Sequence, residues 1–147
     1  MLRDPALHPL SHQHQHGLAL CVLVERGLRA NPSPENTAAL ARKILDSFEV
    51  ELRNHFDLEE RLLFPAIREN LGAMPLVDEL LADHRRLEQL VENLAAPATL
   101  LEFTAVLSAH IRREERELFE QIQARLPREV LDRLGRQFES EAVRVCL

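Results

Sequence analysis

The amino-acid sequence predicts an all-α protein: an antiparallel up-down-up-down four-helix bundle with a short fifth helix at its C-terminal end. Three features point there. Leu, Ala, Glu and Arg dominate a chain of 147 residues that has only four glycines, and these residue types favour helix. Apolar residues recur at three- and four-residue spacing through long stretches. Short proline-bearing breaks separate those stretches, so neighbouring helices run antiparallel. A chain of this length can bury a substantial core, and residues 1–147 are expected to form a single domain.

Ser11 is a candidate N-cap for a first helix that reaches about Ala30, where Asn31-Pro32-Ser33-Pro34 breaks it. A second helix is expected from about Glu35 to Asn70, with Ala41, Ile44, Phe48, Leu52, His55, Glu59, Leu62 and Ala66 on one face. Pro65 lies inside it and should kink it or shift its last turn. Leu71-Gly72-Ala73-Met74 closes this helix, and Pro75 suits the first position of a third that runs to about Ala95. Pro97 precedes a fourth, from about Ala98 to Arg125. Pro127 opens the fifth, with Val130, Leu131, Leu134 and Phe138 at helical spacing, expected to pack outside the bundle or cap one end.

A formal charge of −6 weighs against nucleic acid or an anionic membrane as partner. No apolar run approaches the roughly 20 residues of a membrane span. The start, Met1-Leu2-Arg3-Asp4-Pro5, lacks the basic-then-apolar pattern of an export signal. Cys21 and Cys146 make no disulfide framework and suit a reducing compartment, so a cytoplasmic location is expected.

Seven histidines in a chain without Tyr or Trp call for an explanation. His55 and Glu59 are four apart, as are His110 and Glu114, which puts imidazole and carboxylate on one helix face, one turn apart. Both pairs lie on apolar stripes, Leu52 and Leu62 flanking the first and Leu107 and Leu118 the second. A core-facing carboxylate is costly unless paired or bound to a metal. On the first helix His14 shares a face with Leu18, Cys21, Val24 and Leu28, while His12 and His16 fall opposite; on the third, His84 lies with Leu80, Leu87, Val91 and Leu94. At about 1.5 Å per residue, each hairpin brings its two histidines to within roughly a turn of one level. A bound cation is the simple compensation.

Blander readings stand beside this one. Either His-x-x-x-Glu pair alone reads as a surface pair, His84 as a satisfied core histidine, and His14 as a polar first-turn residue with His12 or His16 in its place. His8, His12 and His16 are expected in solvent, Cys21 as a buried inert thiol, and Glu60 and Glu115 paired with Arg61, Arg116 or water. Phe48, Phe64, Phe103 and Phe119 read as core, with Phe64 and Phe119 able to screen the site.

The segment His55-Phe-Asp-Leu-Glu-Glu-Arg-Leu-Leu-Phe-Pro-Ala-Ile67 aligns with His110-Ile-Arg-Arg-Glu-Glu-Arg-Glu-Leu-Phe-Glu-Gln-Ile122, seven of 13 positions being identical. Together with Leu10-Ser-His-Gln-His14 and Asp83-His84, this repeat of His-x-x-x-Glu-Glu followed by Leu-Phe resembles the hemerythrin-like, or HHE cation-binding, domain. The resemblance implies a four-helix bundle with a dinuclear non-haem iron site whose carboxylates bridge the metals. Carried over by position, the ligands are His14, His55, Glu59, His84, His110 and Glu114. Oxygen-carrying members place two histidines four apart on the third helix. Here position 80 is leucine and position 88 is glutamate, so Glu88 is a candidate for the missing ligand.

Imidazole with bridging carboxylates points to two iron ions, with manganese or zinc as alternatives. Without inward thiolates a closed structural zinc site is disfavoured. The expected function is to bind or sense dioxygen or nitric oxide, or to buffer iron, rather than to catalyse. The alternatives are a di-iron enzyme acting on peroxide or reactive oxygen or nitrogen species, and a metal-stabilised regulatory bundle. Expected partners are a small diatomic or peroxide ligand and a separate redox protein, with the chain a monomer or homodimer.

Overall fold

The computed structural model describes residues 2–144, whose regular structure is entirely helical. Five long helices follow one another: α1, His8–Ala30; α2, residues 34–71; α3, Pro75–Val91; α4, residues 97–125; and α5, Arg128–Glu141. Cys146 lies outside the described residues.

Local chemistry sets the ends. A carboxylate oxygen of Asp4 accepts the Ala6 N–H at 3.0 Å, and Pro5 opens a single 3₁₀ turn, Pro5–Leu7, that leads directly into α1. Asp-Pro is thus the start signal, and Ser11 is not an N-cap. It sits inside α1 and its hydroxyl donates to Glu115 at 2.8 Å. Ser33 caps α2 by accepting the Asn36 N–H at 3.2 Å. Gly72, at φ 80, stops α2 in a left-handed conformation that glycine takes without strain. α3 ends at Val91, short of the expected Ala95, and Ala96 is extended, the conformation favoured before proline.

Two of the helices contain wide π turns. They span Phe48–Leu52 and Glu59–Leu63 in α2, and Glu114–Leu118 in α4. The N–H of Phe64 reaches the carbonyl of Glu59, and that of Phe119 the carbonyl of Glu114, five residues back in each case. The extra residue turns the following face, so Leu63 is buried where the regular pattern placed Leu62, which is only half-buried. Pro65 does not cause this turn, because α4 makes the same one with Glu120 in the corresponding place.

The core is in two apolar parts. One end gathers Leu10, Leu63, Phe64, Leu80, Phe119 and, from α5, Leu134 and Phe138. The other gathers Val24, Ile44, Phe48, Leu87, Phe103 and Leu107. α5 caps the first end as expected, with Gly135 so near the N-terminal turn that a Cβ there would lie 2.9 Å from the Ala6 Cα. Along each of α1 to α4, a buried polar layer separates the two parts: His14, His55 with Glu59, His84, and His110 with Glu114. Among the described residues, no helix is long and apolar enough to cross a membrane.

Candidate metal centre

All six residues of this layer are 4 % exposed or less, and both glutamates are fully buried. Their polar atoms converge in two groups: His14, His55, Glu59 and Glu114 in one, and Glu59, His84 and His110 in the other. Glu59 spans both, with Oε2 3.4 Å from the His55 Nε2 and Oε1 3.0 Å from the His84 Nε2. Glu114 spans them too. Its Oε1 lies 2.9 Å from the His14 Nε2, 3.5 Å from that of His55 and 3.3 Å from that of His110.

The far side of every imidazole is held. His14 Nδ1–H donates to Glu115 at 2.5 Å, His84 Nδ1–H to Glu60 at 2.7 Å, His110 Nδ1–H to Asp83 at 3.0 Å, and His55 Nδ1–H to the Gln13 side-chain oxygen at 2.9 Å. With Nδ1–H engaged outward, each ring turns its Nε2 toward the centre, as metal-binding histidines do. The His14 and His55 Nε2 atoms face each other at 3.0 Å. Sequence periodicity misses these outer partners, since Glu60 and Glu115 lie off the stripe and read as companions of arginine neighbours. The available clue is adjacency: each outer residue directly precedes or follows one of the six.

The electrostatics call for positive charge. Burial alone would push His55 and His110 down, yet the neighbouring carboxylates, Glu59 and Glu114 first, hold them up at about 9 and about 10. Burial and Glu114 push Glu59 up to about 8, while His110 overcomes burial and keeps Glu114 well below the usual range. His84, desolvated and beside His110, falls to about 2. Three buried atoms here, Glu59 Oε2, Glu114 Oε2 and His110 Nε2, make no hydrogen bond. Buried polar atoms left without partners among converging imidazoles and carboxylates are costly, and a metal cation in place of the histidine protons supplies what they lack. The donor set therefore fits a metal.

The chain matches the hemerythrin HHE cation binding domain over residues 6–122. It belongs to that family. No curated protein and no solved structure matches it. Family membership and the two buried His/Glu groups make this hemerythrin-family chain a cation-binding protein.

The remaining candidates lie elsewhere. Glu88 is half-buried, pairs with Arg85 at 2.9 Å, and joins neither group. That arginine lies one turn before it on α3, and Leu80, one turn before His84, is fully buried. His12 is exposed, and His16 pairs with Glu51. Cys21 is buried, its thiol pushed up to about 12 by burial and by Glu25. Aromatic rings cover the hemerythrin-type layer: Phe119 stacks on His14 at 5.4 Å, Phe64 on His84 at 5.9 Å, and Phe56, which the sequence reading overlooked, on His84 at 3.9 Å.

Proposed function

We propose that this is a non-haem di-iron protein that binds or senses dioxygen or nitric oxide, or buffers iron. The observation that carries the reading is a sealed layer in which four Nε2 atoms and two carboxylates form two groups sharing Glu59. His14 and His55 would hold one ion and His84 and His110 the other, with Glu59 and Glu114 bridging, a donor set suited to paired iron in a helical bundle. Two irons so held supply redox-active metal with open coordination positions for a small ligand.

The chain's own residues prepare that setting. Glu60, Asp83 and Glu115 orient three imidazoles. Phe56, Phe64 and Phe119 exclude bulk water from the same rings. With Leu80 and Glu88 at the two positions four residues from His84, where oxygen carriers would have a second histidine at one or the other, coordination positions are left for an incoming molecule.

Metal analysis with an absorption spectrum of aerobically purified protein tests this. The expected result is about two irons per chain with a near-ultraviolet charge-transfer band. Stoichiometric zinc without colour overturns it, and sustained consumption of hydrogen peroxide replaces it with the enzyme reading.

A further inference from the structure

Three of the four inward histidines lean on a carboxylate, but His55 leans on an amide, and that amide is tied to the far end of the chain. Gln13, 5 % exposed, accepts the His55 Nδ1–H through its side-chain oxygen at 2.9 Å. Its Nε2 donates to the Asn54 side-chain oxygen at 2.9 Å and to the Val143 carbonyl at 3.1 Å. Asn54 is gripped in turn by main chain at the last residue of α5 and just after it. Its Oδ1 accepts the Val143 N–H at 2.8 Å and its Nδ2 donates to the Glu141 carbonyl at 3.0 Å.

The orientation of this relay is set at its outer end. A backbone N–H can only donate and a backbone carbonyl can only accept. Val143 and Glu141 therefore decide which side-chain atom of Asn54 is oxygen and which is nitrogen. Asn54 Oδ1, together with the Val143 carbonyl, then demands the nitrogen of Gln13, which leaves the Gln13 oxygen to face His55. That oxygen requires a proton on Nδ1, so Nε2, facing Glu59 and His14, is the nitrogen left to give up its proton to a metal ion. A chain of fixed hydrogen-bond polarity thus runs from the strap 141–144 to the inner nitrogen of one histidine. Both Glu141 and Val143 lie beyond residues 6–122, the part matched to the family.

We infer that Gln13 and Asn54 are positioning residues through which the strap after α5 holds His55 in its metal-binding tautomer, so that strap docking and occupation of the His14/His55 position favour each other. The inference rests on the proposed two-ion centre. Linkage makes the effect reciprocal: a docked strap tightens binding of the ion at that position, and the bound ion protects the strap.

The test compares iron release to a chelator with amide hydrogen exchange at Val143, in the full chain with and without iron. In the wild type, iron should slow exchange at Val143 about 10-fold or more relative to the Asn31 amide, which closes α1 onto Gly27 at the other end of the helix. Gln13→Leu removes both halves of the relay, so one of two ions should leave about 10-fold faster while the other stays. Gln13→Glu still accepts from His55 but cannot donate to Asn54 or Val143. It should retain iron at least as well as the wild type, yet lose the response of Val143 to iron. A merely structural role cannot separate these two readouts. If Gln13→Leu does not fold, Asn54→Ala carries the same expectation with a smaller acceleration. A wild type without bound metal overturns the two-ion centre and this inference with it. Two bound ions with Val143 exchange indifferent to their removal, or with unchanged release from Gln13→Leu, overturn the coupling alone.

Discussion

The two copies of His-x-x-x-Glu-Glu, in α2 and α4, perform the same task on different neighbours. Each first glutamate reaches across both groups of the centre. Each second glutamate grips a histidine on another helix, Glu60 that of α3 and Glu115 that of α1. Each phenylalanine of the following Leu-Phe stacks on that same imidazole. A repeated stretch therefore dresses the two histidines that are not repeated. The asymmetry comes from outside it: the residue before His14 is the amide Gln13, the residue before His84 is the carboxylate Asp83, and the α4 copy is roofed by Arg3 of the N-terminal segment, while the neighbouring Asp4 donates its N–H to Gln123 of α4 and pairs with Arg128 of α5.

The strongest trial of this equivalence removes the shared glutamates. Glu59→Ala and Glu114→Ala should each abolish stable metal binding, because each deletes a ligand from both positions, whereas His12→Ala should leave metal content unchanged. Metal analysis after gel filtration reads this, and retained metal in both glutamate variants would falsify the assignment. Next come the outer grips. Glu60→Gln and Glu115→Gln should each weaken metal affinity by roughly 10–100-fold, measured by competition with a chromophoric chelator. A large effect from one copy and none from the other would break the parallel.

Smaller effects should expose the difference. Arg3 is 18 % exposed and donates to the Glu115 carbonyl at 2.7 Å, while Arg85, beside Glu60, is 53 % exposed. Arg3→Ala should lower stability by about 1–2 kcal/mol in urea unfolding. Arg85→Ala should lower it by less than about 1 kcal/mol, as an exposed pair screened by solvent. Equal losses would show that the roof adds nothing to the α4 copy.

The smallest effect is a pH dependence confined to that roof. The Arg128 guanidinium, against opposing burial, holds the Asp4 carboxyl below its ordinary value. A group lowered on folding adds stability above its unfolded value and loses it as pH falls through the folded one. The wild type should therefore exceed Asp4→Asn at neutral pH, and the gap should close below about pH 3.8, read by thermal unfolding across pH.

Much of this was readable from residue order. The helices and the inward faces of His14, His55, His84 and His110 follow from spacing, because helical periodicity reports which side of a cylinder meets the core. What periodicity cannot report is which residue of one helix meets which residue of another. Glu60 and Glu115 therefore read as partners of adjacent arginines, although packing of α3 and α1 delivers histidines to them. The same limit hid Gln13, whose role depends on Asn54 and on main chain more than a hundred residues away. The Ser11 misreading is of another kind. Asp4-Pro5 carried the start signal in plain view, and a hydroxyl nearer the apolar pattern outweighed it. Leu62 failed because a regular 3.6-residue pattern has no room for a wide turn.

Those wide turns work as phase shifters. At about 100° per residue, one additional residue rotates everything after Glu59 or Glu114 by more than a quarter of a circle. Each inward glutamate and the phenylalanine five residues after it can then both look inward, although a uniform spiral would aim Phe64 and Phe119 about 140° away from Glu59 and Glu114. Shortening either loop of backbone by a single residue would leave the helix intact and swing its entire downstream arm out of alignment with the core.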